Sequence, residues 1–185
     1  MAVLNYPRHF VLLVGATAVL SFGLVAQPVW APAPDRLVVL FGLSGALHAL
    51  AVVLALEEDA PWLSRAGFVV AATVLSIAAP LGGLGLAALL QLNMVLTVFV
   101  ALALASGFGA VSYWLLVRRV WAPFLSRGSL ILTIAACEVA MVITALTTTV
   151  VPVPRDPLAP ALWWLGFSVS LYIADRRHAP ASVGR

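Results

Sequence analysis

Charged residues are confined to the ends of long uncharged stretches, and this pattern constrains the fold more than any other feature. The longest stretch, Ala66–Val117, contains no charged residue. A helix of about 20 apolar residues spans the ~30 Å hydrocarbon layer of a bilayer. Because 63% of the residues are hydrophobic and only 9% are charged, we predict an all-α, multi-pass membrane protein without a separate soluble domain.

The uncharged stretches predict a bundle of six membrane-spanning helices in a single membrane domain. As one helix, Ala66–Val117 would be about 78 Å long, so this stretch must fold back at least once. The fourth span is about 50 Å long by helical rise and must tilt, protrude or break near 106–109. The predicted spans are 10–26, 37–56, 62–79, 84–117, 128–151 and 158–174.

The third and fourth predicted spans form the middle hairpin, and two positions are compatible with its turn. The segment Pro80–Gly83 combines a proline, which disfavours helix, with two glycines that permit tight turns, and we expect the turn there. A turn at Gln91–Asn93 is the alternative, and it gives two helices of similar length with a kink at Pro80. The choice decides whether Asn93 lies inside the membrane or in a loop.

The arginines indicate the orientation of the bundle. If the N-terminus is inside, only Arg36 and Arg155 fall on outer segments, and all other arginines fall on inner ones. Cytoplasmic loops of membrane proteins are enriched in arginine and lysine. We therefore expect both termini on the cytoplasmic side of the cell's inner membrane. The formal charge of +3 then reflects contact with the lipid bilayer and requires no nucleic acid.

Small residues at four-residue spacing predict where the helices touch. In lipid, small side chains let helix backbones approach closely and gain van der Waals contact. We expect these rows to face other helices of the same chain, with a second protein as the alternative. The rows are Gly42 and Ala46, Gly45 and Ala49, Ala101 with Ala105 and Gly109, and Ala136 and Ala140.

Three polar residues are predicted to lie near the middle of the membrane. Glu138 lies about 15 Å into its span, where a carboxylate costs at least ~2.5 kcal/mol unless it is protonated, paired or turned inward. His48 lies about 16 Å deep, and Asn93 about 14 Å deep if the chain turns at Pro80. We predict a proton- or ligand-binding site of Glu138, His48 and Asn93, in which the imidazole pairs with the carboxyl group. The alternative is that Glu138 and His48 only join helices by hydrogen bonds.

A serine motif adds a further hypothesis. The segment Gly42-Leu43-Ser44-Gly45 resembles, over ten to fifteen residues, the nucleophile motif of the rhomboid intramembrane serine proteases. The resemblance implies that Ser44 is a nucleophile. In that family the base histidine lies on a later helix, whereas here His48 lies one turn away on the same helix.

Aromatic residues are expected at the membrane surfaces. Tryptophan is enriched where the bilayer meets water. We therefore place Trp163 and Trp164 in an interfacial belt, with a ligand-binding pocket as the alternative.

These observations predict a membrane-embedded binding or translocation component for a proton, an ion or a small molecule. It is expected to act with other membrane subunits or as a homo-oligomer. The alternatives are a non-catalytic scaffold subunit of a larger membrane complex and, less favoured, an intramembrane serine hydrolase. No cofactor or metal is expected, because one histidine and one carboxylate make a poor metal site. The single cysteine, Cys137, excludes an internal disulfide.

Overall fold

A computed structural model of the chain describes residues 17, 18, 21, 33–54, 61–91, 94–120, 125–150 and 155–178. Within these residues five helices follow one another: α1 (Ala33–Leu54), α2 (Trp62–Leu89), α3 (Met94–Val120), α4 (Arg127–Val150) and α5 (Arg155–His178). Of the span predicted at 10–26, only Thr17, Ala18 and Ser21 are described, and all three are helical. Asn93 lies outside the described residues.

The long apolar helices indicate a membrane protein, as the sequence predicts. Three segments are long and apolar enough to cross a bilayer: Trp62–Leu89, Phe99–Val120 and Arg127–Thr147. Two shorter apolar segments, Val39–Val53 and Leu158–Ala174, belong to α1 and α5. Large apolar side chains remain exposed on the outer surface of the long helices, which suits a hydrocarbon environment.

The middle hairpin turns at Leu90 and Gln91, so the expected turn at Pro80–Gly83 is wrong. Helix α2 continues through Pro80 to Leu89, and Gln91 has a φ of 49°, a left-handed conformation that often ends a helix. Proline is tolerated inside membrane helices because neighbouring helices and side chains satisfy the freed backbone groups. The spans predicted at 62–79 and 84–117 are therefore replaced by α2 and α3, and residues 106–109 are unbroken helix.

Helix contacts form at the predicted rows of small residues. A Cβ atom added at Gly83 would lie 2.6 Å from the carbonyl oxygen of Ala101 and 2.8 Å from the Cβ atom of Ala105. One added at Gly166 would lie 2.7 Å from the carbonyl oxygen of Ala136. Because not even a methyl group fits, the backbones of α2 and α3, and of α4 and α5, are in direct contact.

The remaining rows also face the inside of the bundle. Gly45 of α1 lies against the side chain of Ser76 on α2, and Gly109 of α3 lies against the indole of Trp163 on α5. The prediction that these glycines pack within the chain is therefore confirmed.

The bundle consists of two closely packed hairpins joined by looser contacts. Helix α2 packs most extensively against α3, and α4 against α5; α3 and α4 share a smaller contact, and α1 lies on α2 with a few contacts to α5. The buried core between them is rich in aromatic side chains, including Tyr113, Trp114, Trp164 and Phe167. The boundary between the two hairpins is therefore the contact between α3 and α4.

Candidate functional site

His48 lies in the closed centre of the bundle. Its side chain is 0% exposed. The Nδ1 atom lies 3.1 Å from the hydroxyl oxygen of Tyr113 on α3, and the Nε2 atom lies 2.9 Å from the Oγ atom of Ser168 on α5. A neutral imidazole donates from one nitrogen and accepts at the other, and a hydroxyl can do either. Both nitrogens of His48 are therefore satisfied, and the ring joins α1, α3 and α5.

Aromatic rings enclose the imidazole of His48. The indole of Trp164 stacks on it, with ring centroids 4.2 Å apart and planes inclined by 17°. Tyr113 and Phe167 approach it edge-on, at 5.5 Å and 6.0 Å between centroids. Trp164 is only 4% exposed, so the predicted interfacial position of this residue is wrong: it belongs to the core.

Ser44 does not form a nucleophile–base pair with His48. Its hydroxyl donates to the carbonyl oxygen of Phe41 at 3.0 Å and accepts a hydrogen bond from Nε1 of Trp164 at 3.2 Å. A serine nucleophile requires a base within hydrogen-bond reach, whereas the nitrogens of His48 are bonded to other hydroxyls. The serine of the rhomboid-like segment therefore connects α1 to α5 and has no activated hydroxyl.

Glu138 lies at the outer surface of the bundle, half-buried on α4. Its carboxyl group forms a hydrogen bond with Ser106 of α3. The Oγ atom of Ser106 also accepts a hydrogen bond from Nε1 of Trp163 on α5, at 3.2 Å. Because the indole can only donate, the hydroxyl hydrogen of Ser106 remains available to the carboxyl group. We call this chain of hydrogen bonds, from Trp163 through Ser106 to Glu138, the carboxyl relay.

The predicted pair of His48 and Glu138 is not formed. The imidazole bonds to Tyr113 and Ser168, and the carboxyl group bonds to Ser106. The two groups are instead linked through neighbouring residues of α5, because Trp164 stacks on His48 while Trp163 belongs to the carboxyl relay. The two indoles lie nearly perpendicular, at 87°, with centroids 4.6 Å apart.

Sequence reasoning missed the hydroxyl partners, because hydroxyl side chains in membrane helices often bond only to their own backbone. Residues four or seven apart share a helix face. Trp164 and Ser168 have the first spacing, and Ser106 and Tyr113 have the second. Those spacings were the available signal that Trp164 and Ser168 both face α1, and that Ser106 and Tyr113 both face α5.

The surface around Glu138 is lined mainly by small residues. A Cβ atom at Gly107 would lie 3.5 Å from Oε1 of Glu138, so this glycine is directly beside the carboxyl group. Ala103 on α3 and Ala135 on α4 are exposed on the same side, and Val142 on α4 is 56% exposed. We call these five residues the Glu138 face; it lies at the boundary between the two hairpins.

The two ionisable groups predicted at mid-membrane thus have different settings: His48 is enclosed in the core, whereas Glu138 is only partly buried at the outer surface. No family model, no curated protein and no solved structure matches this chain.

Proposed function

We propose that the chain is a non-catalytic subunit of a larger membrane complex and that Glu138 meets a partner chain within the membrane. The observation that carries this proposal is the partly exposed position of Glu138 on the outer surface of α4. In the proposed assembly, the helix predicted at 10–26 completes a six-helix bundle with both termini on the cytoplasmic side.

The energetic cost of the carboxyl group supports a partner. An ionised side chain at the centre of a bilayer costs about 2.5–3.5 kcal/mol by insertion scales. The single hydroxyl of Ser106 is a neutral donor and does not supply a compensating charge. By helical rise, Arg127 at the start of α4 is about 16 Å away. The compensating proton or cation must therefore come from outside α4.

The closed centre of the bundle supports a structural role for His48. The ring nitrogens are satisfied by hydroxyls, and the ring faces are covered by aromatic side chains. In a membrane protein such hydrogen bonds fix which helices are neighbours. We therefore assign His48 to the assembly of the bundle and not to a route for ions through it.

A second candidate function is the binding or translocation of a proton, an ion or a small molecule at Glu138. The carboxyl relay favours the binding of a cation, because the hydroxyl of Ser106 stabilises an ionised carboxylate. In that case the group is protonated or holds a small cation, and it faces lipid or a water-filled path at the surface.

Photo-crosslinking in native membranes tests the proposed function. A photoreactive benzoylphenylalanine at Ala135 is expected to crosslink to a second membrane protein, because this position lies on the Glu138 face. Benzoylphenylalanine at Val74, which is 57% exposed on α2, is the control, because that surface carries no carboxyl group. A second probe is placed at Ala103, which lies on the same face. If the probes at Ala135 and Ala103 crosslinked only to lipid, the proposal would be contradicted.

A hydrophobic carbodiimide separates the two candidate functions. Dicyclohexylcarbodiimide modifies protonated carboxyl groups that face the lipid. In native membranes we expect no modification of Glu138 by peptide mass spectrometry, because a partner covers it. Complete and selective modification of Glu138 would instead support the proton-binding function.

A further inference from the structure

We infer that the Glu138 face binds a transmembrane helix that carries a basic side chain, arginine or lysine, at mid-membrane depth. This inference rests on the proposed function and specifies the chemistry of the partner.

The shape of the surface admits another helix. Gly107 and Ala103 are separated by one turn of α3, so they lie on one side of that helix. Ala135 is the corresponding small residue on α4, one turn before Glu138. Small residues let the backbone of a neighbouring helix approach closely, which is the main source of contact energy in lipid. A helix lying along this boundary would pass directly over the carboxyl group.

The charge of the surface selects the partner. Carboxylate and basic side chains are each costly in hydrocarbon, and ionisable groups in membranes usually pair with one another. The hydroxyl of Ser106 accepts a hydrogen bond from Trp163 at 3.2 Å, which holds Ser106 in place. The hydrogen bond from Ser106 therefore fixes the orientation of the carboxyl group before a partner binds. A guanidinium group is especially suitable, because its planar array of donors can bind both oxygens of a carboxylate.

A second copy of this chain does not supply that cation in the described helices. In those helices the basic residues are confined to the end turns, as in Arg65 near the start of α2, Arg118 in the last turn of α3 and Arg127 and Arg155 at the starts of α4 and α5. None of these reaches the middle of a span in register with Glu138. The partner is therefore a different membrane protein.

A peptide-binding experiment tests this inference. The purified full-length protein is reconstituted in phosphatidylcholine vesicles with a labelled alanine–leucine helix that has one central arginine, and association is measured by energy transfer. We expect this peptide to bind about tenfold more tightly than the same peptide with a central leucine, a ratio within the range of polar contacts in membranes. In Glu138→Gln, which keeps the shape of the side chain, the preference should disappear.

Two further variants locate the contact. Gly107→Leu covers the carboxyl group and is expected to remove the preference, while Val74→Gln places a polar group on the exposed side of α2 and is expected to leave it unchanged. Equal binding of both peptides by the wild-type protein, or a preference that persists in Glu138→Gln, would overturn the inference. If Ala135 crosslinks to a membrane protein but the arginine peptide shows no preference, the inference fails while the proposed function stands.

Discussion

Replacement of His48 by alanine is expected to lower the free energy of unfolding by about 2–4 kcal/mol, through a cavity and two lost interhelical hydrogen bonds. The variant removes the ring on which Trp164 stacks at 4.2 Å. It also leaves the buried hydroxyl groups of Tyr113 and Ser168 without their imidazole partner. The change can be measured by reversible unfolding in mixed detergent micelles, monitored by circular dichroism.

A matched control separates the core contact from a general effect of mutation in a helix. The hydroxyl of Thr73 on α2 donates to the carbonyl oxygen of Val69 in the same helix, at 2.7 Å. Thr73→Ala is therefore expected to change stability by less than about 0.5 kcal/mol. If His48→Ala were equally mild, the imidazole would not hold the three helices together as we describe.

Neighbouring glycines of α2 are expected to respond to alanine with opposite signs. Gly83→Ala places a methyl group 2.6 Å from the backbone oxygen of Ala101, and we expect a loss of about 1–3 kcal/mol from overpacking. At Gly82 the added methyl group meets nothing within 4 Å. There we expect no loss, and a gain of up to about 1 kcal/mol from the higher helix propensity of alanine.

The same unfolding assay checks this pair, with each variant compared with the wild-type protein. Equal effects at the two positions would contradict the close approach of α2 and α3. They would instead suit a turn at Pro80–Gly83, where the glycines would be part of a loop. The pair therefore tests the position of the middle hairpin as well as the packing.

The lengths of the apolar stretches were sufficient to predict an all-helical chain and the positions of three of its described helices. The observed bounds of α1, α4 and α5 differ by only a few residues from the spans predicted at 37–56, 128–151 and 158–174. The error at the middle hairpin has a physical cause. Proline and paired glycines mark turns in water, but inside a membrane bundle Pro80 is tolerated and Gly83 serves a close helix contact.

The helices that carry His48 and Glu138 were predictable, but the partners of these two residues were not. Helical rise placed His48 and Glu138 at similar levels, and each lies well inside its helix. Which side chains meet depends on helix order and on rotation about each helix axis, and neither follows from one sequence. As a result, Ser168 and Tyr113 take the place next to His48 that the sequence suggested for Glu138.

Trp163 and Trp164 together fix the rotation of α5 about its own axis. The indole of Trp164 stacks on the imidazole of His48 in the interior, and the indole of Trp163 donates a hydrogen bond to the hydroxyl of Ser106, next to Glu138. Turning the helix to improve either interaction would break the other. A rotation of α5 about its axis would therefore disturb both indoles together, and tryptophan fluorescence would report it.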